Sequence, residues 1–432
     1  MCFNRRGAES AEGIDKSSIY SLRTGREYAD PSKPPVLVVE LKKREPALAT
    51  VSDPNFVKSC EDHPLYRDAV GLTNNPKNNG ILQYLDITKV KPECLASYGL
   101  VFNGDFFQLW RRVDGLIIPM TTIKRVTKTS LPKLLKELTK CLQAPPSALV
   151  TAIWNRKGGV AKTTNTINIA SCLALAGKRV LLIDLDPQND LTTGIGLKAN
   201  FSPDYFDRAY EKIQLQEIDS AKEIIDAAIQ HKTYPTSDKN SFKLSLLSSN
   251  KDCLNNINSN SENAHPPYKI FNDILNLIRH DYDYIFIDSS PKLDKLTECL
   301  LCTAEAILLP IDVGGRSLTH AIDLSQRVIP EIQAMRNKDK ADSFTLGPWN
   351  LGLVFSNCPT NIGINIDNEI KKIIEFKGFT GKQVNVHLIN YAQTKQAEFQ
   401  AMPVVCWHKS QISKLFHDLT KEVFLGHNYT NR

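Results

Sequence analysis

The fold of this chain is decided by the stretch Asn155-Arg156-Lys157-Gly158-Gly159-Val160-Ala161-Lys162-Thr163-Thr164. It follows a short apolar segment, Ala148 to Trp154, that predicts a β-strand. It precedes a segment, Thr163 to Ala176, whose apolar residues recur at helical spacing. A glycine-rich loop between a strand and a helix directs successive backbone N–H groups at phosphate oxygens, and the helix N-terminus adds partial positive charge there. The sequence therefore predicts a phosphate-binding loop in an α/β domain.

The loop residues have predicted roles in nucleotide binding. Lys162 is placed to reach the β- and γ-phosphates, and Thr163 is placed to hold Mg²⁺. Ala161 stands where a glycine usually precedes the lysine. Because a positive φ is costly for alanine, we expect a backbone conformation there that is open to any L-residue. The candidate nucleotide contacts are Lys157, Gly158, Gly159, Val160, Ala161, Lys162, Thr163 and Thr164.

A second lysine inside the loop, Lys157, gives a more specific indication. A loop of the form Lys-Gly-Gly-Val-x-Lys-Thr-Thr resembles the deviant Walker A motif of the ParA/MinD family of ATPases. The resemblance implies a P-loop fold with a mostly parallel central sheet flanked by helices, ATP and Mg²⁺ as cofactors, and a homodimer that forms with ATP. It also implies that Lys157 crosses the dimer interface to the partner's nucleotide and is catalytic together with Lys162.

Two later apolar segments end in aspartates, as strands that carry a catalytic site do. The first, Arg179 to Asn189, resembles the family's DxDPQ motif, and the second, Tyr284 to Pro291, is typical of a Walker B strand. The resemblance implies that Asp186 positions or activates the attacking water, that Asp184 supports the magnesium shell, and that Asp288 binds Mg²⁺ through a water. Each aspartate alone would equally suit a helix N-cap or a turn, but three in this order favour the ATPase interpretation.

The resemblance covers most of residues 147–427. It includes predicted strands at Ala306–Ile311 and Leu351–Phe355. In relatives the loop after the later strand lies against the adenine, so Ser356, Asn357 and Pro359 are candidate base contacts. Stretches rich in Asn, Ser and Pro, Thr233–Asn240 and Asn255–Pro267, predict surface loops within this domain.

The first 143 residues contain a different pattern. An apolar strand from Val36 ends in Glu40-x-Lys42, which resembles the PD-(D/E)xK nuclease core found in the N-terminal region of type I restriction enzymes. The resemblance implies a smaller α+β domain in which Glu40 binds Mg²⁺ together with Glu27 or Asp30, while Lys42 stabilises the attacking water. Residues 98–112 resemble the hairpin of that fold, with Asn103-Gly104 as a two-residue turn. We therefore expect a nuclease-like domain at 1–143, a linker at 144–147 and the ATPase domain at 148–432.

Whether that first domain cuts DNA is left open by its sequence. The alternative is a degenerate nuclease fold kept as a DNA- or protein-binding module, whose basic residues face phosphates. Each of these charges would also suit a solvated surface. The residues concerned are Lys42, Lys43, Arg111, Arg112, Lys124, Arg125 and Lys128.

Composition is consistent with a cytoplasmic protein. The 432 residues are 42% hydrophobic and 23% charged, with a net charge of +6, which fits contact with nucleic acid without requiring it. The 10 cysteines are scattered, and their spacing gives no zinc motif. The sequence contains neither a signal-peptide h-region nor a run of about 18 apolar residues. The last helix pattern, which includes Phe416 and Leu419, predicts core packing rather than a membrane anchor.

The family resemblance predicts a dimerising ATPase that binds DNA non-specifically and serves plasmid or chromosome partitioning or cargo positioning. A hydrolysis-stimulating adaptor protein is the expected partner, with association with the nucleoid and not with a membrane. Two alternatives stay open: an ATP-regulated nuclease of a restriction or phage-defence system, and an ATP-switched scaffold without a DNA role. The candidate DNA-binding residues near the C-terminus are Lys371, Lys372, Lys377, Lys382, Lys409 and Lys414.

Overall fold

The structure is a computed structural model that describes much of the chain. The described residues are 19–22, 37–41, 80–91, 95–121, 123–143, 148–198, 205–237, 240–249, 259, 268–338, 347–359, 368, 384–389, 392–407 and 409–426. Contacts divide the chain into two compact units. The first comprises Met1–Pro146, Gln333–Leu346 and Phe424–Tyr429, and the second comprises Ser147–Ile332, Gly347–Val423 and Thr430–Arg432.

The first unit contains a mixed β-sheet. Its strands are β1 (Ile19–Leu22), β2 (Leu37–Leu41), β3 (Tyr98–Phe102), β4 (Phe106–Val113), β5 (Leu116–Pro119) and β6 (Lys124–Arg125). Strands β1 to β5 lie side by side in chain order, and β6 pairs with β4. Strands β2 and β3 are parallel, while the other neighbours are antiparallel. The helices of this unit are α1 (Gly80–Leu85) and α2 (Ser130–Gln143).

One face of this sheet forms an apolar core. Leu100, Phe107 and Leu109 are buried there together with Leu134 from α2. On the opposite face, Gly99 lies against α1, where an added Cβ would come within 2.6 Å of an Ile81 side-chain carbon. Alternation along the strands therefore separates an apolar face from a face that carries polar residues.

The hairpin between β3 and β4 forms at the expected place but with a different turn. The Asn103 N–H donates to the Phe106 carbonyl at 3.2 Å, so the two turn residues are Gly104 and Asp105, one position later than the sequence predicts. The Asn103 Oδ1 accepts hydrogen bonds from the backbone N–H groups of Asp105 (3.0 Å) and Phe106 (2.8 Å), and Gly104 has φ 93. The asparagine side chain thus closes an Asx turn at the residue before the two-residue turn.

The second unit contains a mostly parallel sheet. Its strands are β7 (Leu149–Ile153), β8 (Val180–Leu185), β9 (Gln230–Pro235), β10 (Ser241–Ser248), β11 (Tyr284–Ser289), β12 (Ala306–Ile311) and β13 (Trp349–Phe355). They lie in the order β13-β12-β7-β11-β8-β10-β9, and all neighbours are parallel except β9 and β10. Parallel strands place their carboxyl ends at one edge, where ligands of such sheets bind.

Helices connect these strands. They are α3 (Lys162–Leu175), α4 (Asp190–Gly194), α5 (Tyr205–Gln214), α6 (Ile218–Ala228), α7 (Lys269–Ile278), α8 (Lys295–Thr303), α9 (Gly315–Asp323), α10 (Ile329–Lys338), α11 (Ala392–Gln400) and α12 (Gln411–Thr420). Short π-helical turns follow α9 and α12 at Leu324–Val328 and Lys421–Leu425, and a 3₁₀ turn spans Val404–Cys406. The P-loop α/β architecture that the sequence predicts is confirmed for this unit.

One predicted loop is wrong. Residues 233–235 belong to β9, which pairs antiparallel with β10, so Thr233–Asn240 is a hairpin and its connection rather than one irregular loop. Tyr234 explains the difference, because its ring is 1% exposed and stacks on Phe242 of β10. Tertiary packing of one aromatic residue overrides the Ser- and Pro-rich composition around it. The other predicted loop, Asn255–Pro267, lies almost entirely outside the described residues.

The apolar stripe of the last helix is buried. Ile412, Phe416 and Leu419 of α12 are each at most 1% exposed, and α12 lies against α3. In the part of the chain that the structure describes, no helix is long and apolar enough to cross a membrane.

Candidate functional site: the phosphate-binding loop

The glycine-rich loop lies at the carboxyl end of β7, an inner strand of the sheet that lies between β12 and β11. It leads directly into α3, which begins at Lys162. An added Cβ at Gly158 or Gly159 would meet no atom within 4 Å, and Gly159 has φ 74. The loop backbone is therefore open on the side where a phosphate group would approach the helix N-terminus.

Ala161 corrects the expectation from the sequence. Its backbone is left-handed, with φ 62 and ψ 35, whereas we expected a conformation open to any L-residue. The Ala161 carbonyl accepts the Asn165 N–H at 2.9 Å, so this residue starts the helix from the left-handed region. The path from the glycines into α3 fixes this conformation, and alanine adopts it at a cost of about 1–2 kcal/mol.

Lys162 lies in the phosphate site. Its side chain is largely buried, and its Nζ donates to the Lys157 carbonyl at 3.2 Å across the loop. Burial lowers the pKa of Lys162, while the nearby carboxylates of Asp288 and Asp186 oppose that shift. An ammonium group that bridges the loop at this point is placed to bind phosphate oxygens.

Thr163 and Asp288 form the candidate magnesium site. The Thr163 Oγ1 donates to the Asp288 Oδ2 at 2.7 Å, and the buried Asp288 Oδ1 has no hydrogen-bond partner. Burial, with the neighbouring Asp184 carboxylate next in effect, raises the pKa of Asp288 to about 8. Because the Asp288 Oδ1 is buried without a hydrogen-bond partner and Asp184 adds a second carboxylate, these residues fit Mg²⁺, which takes hydroxyl, carboxylate and water oxygens.

Asp184 lies beside Asp288 in the register of β8 and β11. Its Oδ2 accepts both the N–H (2.9 Å) and the Oγ1–H (2.6 Å) of Thr192, and its Oδ1 accepts the Asp186 N–H at 3.2 Å. Burial raises its pKa to about 6. Since Thr192 belongs to α4, the carboxylate fixes the segment that carries Asp186.

Asp186 is half-buried at the end of β8. Its Oδ1 accepts the Gln188 N–H at 3.0 Å, which orients the carboxylate. Asn189, the residue before α4, is left-handed with φ 54. The turn therefore presents Asp186 at the same sheet edge as Lys162 and Asp288, which is where a water that attacks the γ-phosphate would lie.

The loop after β13 contacts the phosphate loop through Asn357. Its Nδ2 donates to the Gly159 carbonyl at 3.1 Å, and its backbone is left-handed with φ 54. Pro359 is exposed close by, while Ser356 is buried and its Oγ accepts from the Asn165 Nδ2 at 2.8 Å. Asn357 and Pro359 are thus available to a nucleotide base, and Ser356 instead fastens β13 to α3.

Lys157 points away from Lys162 and towards the end of β12. Its Nζ lies 2.5 Å from the Asp312 Oδ2 of the same chain. Two neighbours fix the approach to the loop. The Asn155 Nδ2 donates to the Pro310 carbonyl at 2.9 Å, and Arg156 approaches Asp323 at 3.5 Å. The two loop lysines therefore occupy different environments, one in the phosphate site and one beside it.

The predicted nuclease residues are described only in part. Glu40 is 1% exposed in β2, and it lies in register with Val101, which is itself in register with the buried Gln108. Burial is the main cause of the raised pKa of Tyr84 on α1, and the charge of Glu40 adds to it. Glu27, Asp30 and Lys42 lie outside the described residues.

Known proteins resemble the second unit. A family model described as an AAA domain matches residues 148–341. The sporulation initiation inhibitor protein Soj of Bacillus subtilis is 26% identical over 281 residues, which cover 63% of this chain and 97% of Soj. The chromosome partitioning protein ParA of Myxococcus xanthus is 32% identical over 192 residues, which cover 43% of this chain and 62% of that ParA.

This part of the chain is similar to P-loop ATPases of the ParA/MinD type. The glycine-rich loop, Thr163 and Asp288 are suited to bind ATP and Mg²⁺. Among solved structures, an ATP complex of McdA from Cyanothece shares 17% identity with a TM-score of 0.49, covering 66% of this chain and 99% of that one. The Pyrococcus furiosus cell division ATPase MinD also shares 17% identity, with a TM-score of 0.45, and covers 64% and 98% of the two chains.

Two contacts of the ATPase unit were not predicted from the sequence. Asp312 follows a strand whose importance is recognisable, but the pattern of β12 does not reveal that Asp312 binds Lys157. Asn168 is another example, since its side chain joins the Thr164 carbonyl to the Val404 N–H, both at 2.8 Å. A polar residue buried within the apolar pattern of α3 is the signal that could have identified Asn168.

Proposed function

We propose that this protein is an ATP-dependent dimerising switch that binds DNA non-specifically and serves plasmid or chromosome partitioning or the positioning of another cargo. In this mechanism two subunits close over two nucleotides, and Lys157 of each subunit reaches the phosphates of the other. Hydrolysis removes the γ-phosphate and reopens the dimer, and an adaptor protein stimulates that step. The protein would act in the cytoplasm and associate with the nucleoid.

The separation of the two loop lysines carries the proposal. Lys162 lies inside the site of its own subunit, next to Asp288 and Asp186, and supplies the positive charge that this nucleotide needs. Lys157 is 30% exposed and lies on the rim of the same loop. A second cation on the rim lies outside the phosphate site of its own subunit, and it suits a phosphate group presented by another molecule.

The test is to measure the mass of the full chain in solution with Mg²⁺ and either ATP or ADP. We expect a dimer with ATP and a monomer with ADP. Lys162→Ala should abolish nucleotide binding, whereas Lys157→Ala should bind nucleotide as a monomer and fail to dimerise. A dimer of Lys157→Ala with the affinity of the unchanged protein would refute the role of this lysine across the interface.

DNA binding is tested in the same samples. Binding to plasmid DNA should require ATP and weaken steeply with salt, because contacts with phosphates release counterions. Lys409 and Lys414 are exposed among the described residues, and their replacement by alanine should reduce the salt dependence if they contact DNA. The other candidate lysines, Lys371, Lys372, Lys377 and Lys382, lie outside the described residues. ATP-dependent dimers that do not bind DNA even at low salt would favour the scaffold alternative.

A second candidate function is a Mg²⁺-dependent nuclease in the first unit, switched by ATP. The buried position of Glu40 in β2 favours it, since a carboxylate inside a protein is a candidate metal ligand. The order of β2, α1 and a parallel β3 also supports the resemblance to the nuclease core.

The nuclease candidate makes a distinct prediction. Plasmid DNA should be cut in the presence of Mg²⁺ by the unchanged protein and not by Glu40→Gln, which keeps the shape of the side chain. If ATP switches the nuclease, Lys162→Ala should no longer cut the plasmid. Cutting that persists in Lys162→Ala would not depend on ATP. If the protein binds DNA and leaves it intact under all these conditions, the first unit acts as a binding module.

A further inference from the structure

Lys157, the residue that the proposed dimer requires, forms an ion pair with Asp312 of its own chain. The Lys157 Nζ lies 2.5 Å from the Asp312 Oδ2, and the two side chains are 30% and 26% exposed. An added Cβ at Gly314 would lie 3.4 Å from the same Nζ, so the lysine lies along the start of α9. As long as this contact is made, the ammonium group is directed at its own subunit.

Asp312 keeps other donors when Lys157 is removed. Its Oδ1 accepts the Gly314 N–H at 3.0 Å and the hydroxyl of Ser317. Burial by itself would raise the pKa of Asp312, but hydrogen bonds from Lys157, Ser317 and Gly314 outweigh it and lower the pKa. The carboxylate would therefore remain hydrogen-bonded after the lysine leaves, which makes release of the lysine less costly than breaking an isolated pair.

The residues before the glycines, Asn155 and Lys157, are held by hydrogen bonds next to the end of β12. Asn155 holds the end of β12 through the Pro310 carbonyl, and its Oδ1 accepts the Lys157 N–H at 3.0 Å. The backbone of Lys157 is thus held while its side chain is bound only by exchangeable polar contacts. A long side chain on a fixed backbone can turn between two partners without remodelling the loop.

We propose that the Lys157–Asp312 pair is an intrachain latch, which withholds Lys157 from the partner subunit until a nucleoside triphosphate presented by that subunit displaces Asp312. This inference rests on the proposed function, in which Lys157 acts across the dimer interface. The latch makes dimerisation a competition between one carboxylate and the phosphates of the partner's nucleotide. It thereby disfavours dimers that form around a nucleotide without the charge of the γ-phosphate.

The test is Asp312→Asn in the full chain. Asparagine keeps an oxygen for Ser317 and Gly314 and removes the charge that holds Lys157. Partly exposed ion pairs contribute about 0.2–1 kcal/mol, and each dimer breaks two of them, so the dimer dissociation constant with ATP and Mg²⁺ should fall about 2- to 25-fold. Raising the salt concentration should narrow this difference, because screening weakens the latch in the unchanged protein.

Asp323→Asn is the matched control. It makes the same charge change on α9 and removes the contact with Arg156 without touching Lys157, so the dimer dissociation constant should stay within about 2-fold. The constants are measured by sedimentation equilibrium with a slowly hydrolysed ATP analogue, after thermal unfolding has shown that both variants are folded.

The outcomes separate the latch from the proposed function. If the unchanged protein stays monomeric with ATP, the proposed function fails, and the latch fails with it. If the unchanged protein dimerises and Asp312→Asn binds no more tightly, the latch alone is refuted. Weaker dimerisation of Asp312→Asn would also overturn it, because Asp312 would then stabilise the interface. Equal tightening in Asp323→Asn would assign the effect to the net charge of the surface.

Discussion

Replacing Ala161 by glycine should stabilise the ATPase unit. Ala161 has φ 62 and ψ 35, and its carbonyl accepts the first hydrogen bond of α3 from the Asn165 N–H. The left-handed region is strained for alanine because its Cβ crowds the backbone, whereas glycine enters it freely. The substitution removes one methyl group, the Ala161 Cβ.

The size of the effect is a difference between two terms. Relief of the left-handed strain contributes about 1–2 kcal/mol. The greater freedom of glycine in the unfolded chain subtracts about 0.4–1 kcal/mol. A net gain of about 0.8 kcal/mol remains at the midpoints of the two ranges, which corresponds to a rise in Tm of about 2–3 °C for a unit of this size.

The assay is thermal unfolding of the full chain without nucleotide, with Ala176→Gly as the matched control. Ala176 ends the same helix at φ −76, where alanine is unstrained, so the identical substitution should lower the Tm. The unfolding midpoints of the two variants should therefore move in opposite directions. If Ala161→Gly lowers the Tm as much as Ala176→Gly does, the left-handed conformation is not a source of strain, and the reasoning is refuted.

Three further predictions follow from buried contacts. Since the folded pKa of Asp288 is about 8, the nucleotide-free fold binds a proton that the unfolded chain has lost, and stability should fall as the pH rises from 4 to 8. Millimolar Mg²⁺ should therefore raise the Tm more at pH 8.5 than at pH 6, and equal shifts would contradict a cation site at this carboxylate. Asn168→Ala should cost about 1–3 kcal/mol in urea unfolding, because it leaves the Val404 N–H without its partner, and an unchanged midpoint would contradict the importance of this contact. Gly115→Ala should destabilise the first unit by about 1–3 kcal/mol in the same assay, because its Cβ would lie 2.3 Å from the Gly426 backbone nitrogen; an unchanged midpoint would mean that this contact yields easily.

Much of the ATPase fold could be predicted because its signals are local. Each parallel strand is a short apolar run, since both faces of the sheet are covered, and each motif lies where such a run ends. Strand, loop and helix therefore follow one another in the sequence as they do in β7 and α3. The hairpin at β9 was not predicted because Tyr234 of β9 stacks on Phe242 of β10. A contact between two strands cannot be read from the local composition of the sequence.

The prediction for the backbone of Ala161 is wrong for a related reason. Alanine alone disfavours a positive φ, and the sequence contains only that preference, whereas the loop has to join Gly159 to α3 within two residues. A strained residue at a phosphate-binding loop is a place where geometry required for function overrides local preference. The first unit offered weaker signals, because Glu-x-Lys is short and two of its predicted partners, Glu27 and Asp30, lie outside the described residues.

The phosphate site itself combines predictable and unpredictable parts. Lys162, Thr163 and Asp288 were recognisable because each lies in a motif, and the structure brings Thr163 within 2.7 Å of Asp288. The partner of Lys157 was not, because 155 residues separate it from Asp312 and ion pairs leave no periodic pattern. In the function that we propose, that contact decides whether the lysine serves its own subunit or another. The chemistry of the site is thus encoded locally, while its control depends on which strand end the fold places beside the loop.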